Sequence, residues 1–229
     1  MLFCGKPYAF ADCTSLTNVT IPNSVTSIWD GVFGNCKSLT AVNVEADNPA
    51  YSSVDGVLFN KNQTALIQYP AGKAESQYTI PNSVTSIGNW AFASCYGLTG
   101  VYFQGNAASF GWGAFGNSLN VILYYLPGTT GWSPYINQGW GYNVIPTALW
   151  FLPNPLILNN GPGFGVQTNG FGFIISWATN TSVVVEASAS LVNPAWTPVS
   201  TNTLNDGSSY FSDPEWTNYP SRFYRLRSP

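Results

Sequence analysis

The chain has 229 residues, 45% of them hydrophobic and only 7% charged, with a formal net charge of −3. That is enough length and apolar content for one large domain or two modest ones, and solubility has to come from Asn, Ser, Thr, Gln and Gly. Seven basic residues offer no stripe to neutralise phosphates, which excludes nucleic acid as a partner, and the absence of His removes Ser-His-Asp and Cys-His catalysis together with the commonest neutral metal ligand.

No run approaches the ~18 apolar residues of a transmembrane helix, so no membrane insertion is expected. Met1 to Phe10 shows neither an h-region nor a cleavage site. Tyr8-Ala-Phe-Ala-Asp-Cys13 reads as the end of a repeat whose beginning is missing, which predicts a truncated N-terminus.

Next comes Leu16-Thr-Asn-Val-Thr-Ile21, alternating as a short half-buried strand does and stopped by Pro22-Asn-Ser. The string Ile-Pro-Asn-Ser-Val-Thr-Ser-Ile spans Ile21 to Ile28 and recurs unchanged at Ile80 to Ile87. Phe10, Phe33, Phe92 and Phe115 share a column, and Cys13, Cys36, Cys95 and Ser118 follow three residues on, at steps of 23, 59 and 23 residues. Leu16, Leu39, Leu98 and Val121, then Val19, Val42, Val101 and Tyr124, complete four columns. A unit recurring at a fixed period buries its apolar face only against its neighbours. The chain therefore predicts a solenoid of four to five coils with one short strand per coil, and a turn or 3₁₀ segment that points the Phe inward.

The interval from Asn48 to Lys73 is an enlarged coil. Phe103 to Trp150 reads as a cap, with Trp112, Trp132, Trp140 and Trp150 shielding the open end of the core. A Pro/Gly-rich connector follows over 151–165. Strand-like runs at Phe171–Ser176, Thr181–Ser188, Trp196–Ser200, Ser208–Ser212 and Arg222–Leu226 then predict a small antiparallel β-sandwich over 166–229. The arginines of the last run read as a solvated strand.

The pattern from Leu16 to Cys36, repeated in part from Thr79 to Cys95, resembles the BspA-like class of bacterial leucine-rich repeats. The likeness extends over residues 8 to about 127, and the 48–73 stretch resembles a longer coil common in that class. Val183-Val-Val-Glu-Ala-Ser, Trp196-Thr-Pro-Val, Phe211-Ser-Asp-Pro and Arg222 to Pro229 resemble a C-terminal module of secreted bacterial multidomain proteins. The fold class is thus mainly β: a leucine-rich-repeat solenoid over 1–150, then the connector and the sandwich. The resemblance implies surface display and adhesion, an extracellular or cell-surface location, contact with a host or matrix protein or a polysaccharide, and no catalytic residue.

Cys13, Cys36 and Cys95 share a repeat column and read as a ladder of buried thiols, with Cys4 left on the N-terminal edge. Their spacing is repeat spacing, so no metal is expected, and without a phosphate-binding Gly-rich loop before a helix no cofactor is expected either. Polar positions on the strand face, Asn18, Thr20, Asn43, Gly100 and Tyr102, are the expected contacts. Trp29, Trp90 and Trp112 sit just before the Phe column at unequal positions; the repeat does not need them, and flat rings stack on sugars and anchor interfaces. The alternative is a glycoside hydrolase with Asp30, Glu45 or Asp55 as acid and base, Asp47 and Asp12 nearby, and the same Trp residues as sugar platforms. A passive spacer is the third reading.

Overall fold

The structure is a computed structural model that describes residues 8–137, 144–159 and 161–229; Cys4 and Trp140 lie outside the described residues. The chain divides into two compact units, Met1–Tyr124 with Gly131–Ala148, and Tyr125–Thr130 with Leu149–Pro229.

The first unit begins with β1 (Asn18–Ile21) and β2 (Ala41–Val44), parallel and in register one repeat apart, Asn18 beside Ala41 and Ile21 beside Val44. β3 (Tyr51–Val54) and β4 (Val57–Asn60) form an antiparallel hairpin whose two turn residues, Asp55 and Gly56, both have positive φ. That is the twist a two-residue hairpin requires. Then come β5 (Ala65–Gln68), β6 (Gln77–Ile80), β7 (Ser86–Ile87), β8 (Gly100–Phe103), β9 (Ser109–Phe110), β10 (Ile122–Tyr125), β11 (Tyr135–Asn137) and β12 (Val144–Leu149).

These strands build two ladders where one strand per coil was expected. One sheet runs β6-β8-β10-β12-β11, and a second runs β3-β4-β5-β7-β9. The end of the repeated string is itself a strand in its second copy, because Ser86 and Ile87 find Ala65 and Leu66 alongside. In the first copy the amide of Ile28 instead donates to the Tyr51 hydroxyl at 2.7 Å. The front ladder is also split. The β3–β4 hairpin caps β2: Val42 N–H donates to Gly56 O and Val44 N–H to Ser53 Oγ, so β1 and β2 remain a separate pair. Gly56 is required there, since a Cβ on it would lie 2.8 Å from that of Ala41.

The enlarged interval hides a whole coil. Tyr69 stands 23 residues before Phe92, and its N–H donates to Ala91 O as Phe10 N–H does to Val32 O and Phe92 N–H to Ala114 O. Tyr69 is thus the missing member of the Phe column, and the β3–β4 hairpin accounts for the extra length. Its ring stacks on Phe92 at 5.1 Å, and Phe92 stacks on Phe115 at 4.8 Å. Around this stack pack Leu66, Ile80, Leu98, Val101, Val121 and Leu123. The last column slips by one residue: Leu123, not Tyr124, points into the core, while Tyr124 turns outward onto Tyr102. Trp132 closes the end of this core with Ile136 and Ile145, its ring 4.9 Å from Phe103. Trp112 is not part of that closure; it is 46% exposed on a turn.

Cys36 and Cys95 are buried, and burial pushes the Cys36 thiol up to about 11. Cys36 Sγ donates to Phe10 O at 2.9 Å. Cys13 breaks the expected thiol ladder by being exposed, since among the described residues no earlier turn covers it.

In the second unit, β13 (Leu156–Leu158) and β14 (Gly165–Gln167) pair antiparallel with β15 (Gly170–Ser176), and β18 (Ser208–Asp213) pairs with β15 as well. Part of the stretch read as connector is therefore a strand. The second sheet is β17 (Thr197–Leu204), β16 (Thr181–Ser188) and β19 (Phe223–Arg227), all antiparallel. Phe173, Ile175 and Phe211 of the first sheet meet Val183, Val185 and Leu204 of the second in one core.

The terminal arginines are not simply solvated. Arg222 Nε lies 2.5 Å from Asp213 Oδ2, which also accepts from the Tyr224 hydroxyl, and Arg225 and Arg227 reach the two carboxylate oxygens of Glu186 at 2.7 and 3.1 Å. The hydrogen bond from Arg225, joined by that from Arg227, holds the Glu186 carboxyl below its ordinary value of 4.5. A carboxyl lowered by folding contributes stability above its unfolded pKa and loses it as pH falls through the folded one. Glu186→Gln is therefore expected to melt below the parent at pH 7, with the gap narrowing as pH drops through and below 4.5. A gap that stays constant in a series of thermal melts from pH 7 to pH 3 would contradict this.

Candidate functional site

Two surfaces of the repeat unit carry side chains that the core does not use. The first is the strand face. Asn18, Thr20, Asn43, Gln77 and Thr79 are exposed there, all neutral and able to donate and accept. Toward the C-terminal coils the face becomes aromatic: Tyr102 and Tyr124 stack at 4.7 Å with their planes 10° apart. Burial and the neighbouring Tyr124 hold the Tyr102 phenol above its ordinary range. Gly100, expected as a contact, is buried; a Cβ on it would meet the Tyr102 ring at 2.9 Å, so the ring lies over it.

The second surface is the row of turns that carries Phe into the core. Two columns of each turn are left-handed. Asp12, Asn35, Ser94 and Asn117, two residues after the Phe, all have φ near 60°. Asp and Asn adopt that conformation at low cost because their short polar side chains bond locally. Two residues before the Phe stand Tyr8, Gly31, Trp90 and Gly113, again with φ of 58–64°. Here bulky rings alternate with glycine for a packing reason. A Cβ on Gly31 would lie 2.7 Å from Tyr8 Cε1 and 3.2 Å from Trp90 Cδ1, and one on Gly113 would lie 3.1 Å from Trp90 Cδ2. Each ring occupies the space its glycine neighbours leave.

The corresponding residues of the enlarged coil, Ile67 and Ala71, are not left-handed, and the turns on either side of it reach each other. Asn89 Nδ2 donates to Asp30 Oδ2 at 2.7 Å, and Asn89 Oδ1 accepts from Trp112 N–H at 2.5 Å. Ser94 Oγ donates to Asn35 Oδ1, and Asn35 Nδ2 donates to Asp12 Oδ1 at 3.0 Å. Polar side chains thus lace these turns together.

Of the expected binding aromatics, Trp29 is 50% exposed and Trp112 lies edge-on to Trp90 at 4.6 Å. Trp90 is half-buried, and its indole Nε1–H is buried without an acceptor among the described residues. Tyr8, Trp90, Asp12 and Asn35, with Ala11 and Gly34, line a cleft of about 250 Å³. The sequence reading passed over Tyr8, Asn35 and Asn89. The alternation of ring and glycine two residues before the Phe was the signal that would have found the cleft.

The three carboxylates of the hydrolase alternative belong to different turns. Asp30 is held by Asn89, Glu45 Oε2 accepts from Asn23 N–H at 2.8 Å, and Asp55 sits at the tip of the β3–β4 hairpin. No hydrogen bond joins any two of them.

The chain matches the BspA type leucine rich repeat region in six copies over residues 6–131. No curated protein matches it significantly. Solved structures similar to part of it include the pneumococcal vaccine antigen PcpA, 30% identical over 47% of this chain and 27% of that one, with a TM-score of 0.45. A leucine-rich repeat protein from Eubacterium ventriosum is 26% identical over 50% of this chain and 37% of its own, TM-score 0.41. A leucine-rich cell surface protein from Faecalibacterium prausnitzii is 34% identical over 47% and 29%, TM-score 0.43. The chain spans well under half the length of each of these. Six repeat copies covering more than half of the chain establish that this protein belongs to the BspA-type leucine-rich-repeat family of bacterial repeat modules.

Proposed function

We propose that the chain is the recognition module of a secreted or surface-displayed bacterial protein, and that its strand face binds a host or matrix protein. The observation that carries this reading is the composition of that face. Asn18, Thr20, Asn43, Gln77 and Thr79 offer neutral, adaptable hydrogen bonding, and the Tyr102–Tyr124 pair offers rigid aromatic area. Tyr and Asn are enriched in paratopes, in which aromatic anchors dominate affinity. A charge-poor surface and the resemblance of the C-terminal strands to modules of secreted proteins support an extracellular setting.

The test is direct binding of the full chain to immobilised matrix proteins, with insoluble polysaccharides and reducing-sugar release run in parallel. Tyr102→Ala is expected to weaken protein binding by at least about tenfold and Asn43→Ala by about threefold, with the fold retained in both. Raising salt should have little effect, since neutral contacts are not screened. Binding indifferent to Tyr102→Ala would overturn the strand-face reading. Sugar release abolished by Asp30→Asn, Glu45→Gln or Asp55→Asn would replace it with the hydrolase, retention on polysaccharide alone would replace the protein with a glycan, and inertness in every assay would leave a spacer.

A further inference from the structure

We infer that the cleft between Tyr8 and Trp90 on the turn side is a binding site for a single neutral pyranose ring, separate from the strand face and independent of what that face binds. Its walls are aromatic and its polar groups are arranged as a pair. Asn35 spends one amide hydrogen on Asp12 Oδ1 and its carbonyl oxygen on Ser94. Among the described residues that leaves the second amide hydrogen of Asn35 and the Oδ2 of Asp12 uncommitted, a donor beside an acceptor. Two adjacent sugar hydroxyls, one accepting and one donating, match such a pair, while the C–H face of the ring packs on an aromatic wall.

Size sets the ligand class. Pockets for drug-sized molecules run from about 300 to 1,000 Å³, and this cleft of about 250 Å³ holds one six-membered ring rather than a longer saccharide. Charge sets the specificity. Asp12 belongs to the cleft and no basic residue lines it among the described residues, so an acidic sugar meets a like charge and a neutral one does not.

The backbone supplies a second, independent argument. Tyr8 and Trp90 are bulky residues at φ of 60° and 58°, in a column where the other two coils use glycine. A large side chain with positive φ is a strained outlier of the kind that clusters at ligand sites. Trp90 carries the further cost of an unpartnered buried indole N–H. The Tyr8 ring packs over Gly31 yet the residue stays 52% exposed, as a wall that stands open to a ligand does.

The full chain is titrated with methyl β-D-galactopyranoside, methyl β-D-glucopyranoside and methyl α-D-mannopyranoside, with methyl β-D-glucuronide as the anionic control. Binding is read by tryptophan fluorescence and by saturation-transfer NMR on the sugar. At least one neutral pyranoside is expected to saturate with a dissociation constant near or below about 1 mM, and the glucuronide to bind at least about tenfold more weakly. Tyr8→Asn and Asp12→Asn keep residues that tolerate the left-handed backbone, and each is expected to lower affinity about tenfold. Trp90→Gly, which installs the residue of the neighbouring turns, is expected to abolish binding. Tyr102→Ala is expected to leave pyranoside binding unchanged, which separates this site from the strand face. No saturable response to any neutral pyranoside, equal binding of the glucuronide, or indifference to Tyr8→Asn overturns the inference. If Trp90→Gly unfolds, the Tyr8 and Asp12 variants decide.

Discussion

Phe92→Ala is expected to lower the unfolding free energy of the repeat unit by about 4 kcal/mol, within the range of about 3–5 kcal/mol seen for buried Phe-to-Ala changes. Phe92 is 0% exposed, its ring lies between Tyr69 at 5.1 Å and Phe115 at 4.8 Å, and Tyr78 leans on it at 6.3 Å. Removing the ring therefore leaves a cavity whose walls belong to three coils, and it breaks both stacked contacts at once. In a solenoid the free energy is a sum of coil and nearest-neighbour terms, so the loss falls on the central interfaces that couple the N-terminal coils to the C-terminal ones. Phe33→Ala should cost less, toward 3 kcal/mol, because its ring stacks on Phe10 alone at the longer distance of 5.8 Å. Leu119→Ala, at a residue 75% exposed, should change stability by no more than about 0.5 kcal/mol. Urea unfolding followed by aromatic fluorescence measures all three. A Phe92→Ala loss no larger than that of Leu119→Ala would mean that the stack does not hold the coils together.

What the sequence showed of this fold, and what it concealed, follows from which columns repeat. Phe10, Phe33, Phe92 and Phe115 have no rival at their positions, and their period gives the stacking direction and the core at once. Tyr69 escaped because its turn reads Tyr-Pro-Ala-Gly where the others end in Phe-x-x-Cys or Phe-x-x-Ser. The coil is recognisable by the hydrogen bond from Tyr69 N–H to Ala91 O and by the stacking of its ring on Phe92. The slip at the last strand was hidden for another reason. Val121 to Leu126 is apolar throughout, and a continuous apolar run does not say which residue of each pair faces inward. The cleft lies furthest from sequence reasoning. Gly31 and Trp90 are 59 residues apart, and they become neighbours across the enlarged coil, where Ile67 makes no left-handed turn. The aromatics were legible as a surplus, whereas their grouping depended on an insertion whose three-dimensional path the pattern does not carry.

Asn48→Ala is the second large effect, and it tests how that insertion is fastened to the coil before it. Asn48 is 0% exposed, yet all of its hydrogen-bonding capacity is used. Its Nδ2 donates to Pro22 O at 2.8 Å and Val25 O at 2.9 Å, and its Oδ1 accepts from Ala50 N–H at 2.9 Å and Tyr51 N–H at 2.8 Å. One side chain thus satisfies two carbonyls of the repeated string's first copy and two amides at the entrance to the β3–β4 hairpin. Alanine removes that partner from all four; Pro22 O keeps the Val25 N–H, and each of the other groups that water does not reach costs about 1–3 kcal/mol. A net loss of about 3 kcal/mol in urea unfolding is expected. Asn48→Asp separates the two halves of the lock. A carboxylate keeps both amide bonds but faces the Pro22 and Val25 carbonyls with no hydrogen to donate, so burial and those oxygens disfavour its charged form and raise its pKa. A carboxyl raised by folding destabilises increasingly as pH climbs past its unfolded pKa, and protonation returns one donor. Asn48→Asp should therefore approach the parent as pH falls from 7 to about 4, while Asn48→Ala keeps its deficit across the same range. Parallel curves for the two variants would show that the contacts to Pro22 and Val25 do not fasten the enlarged coil to its neighbour.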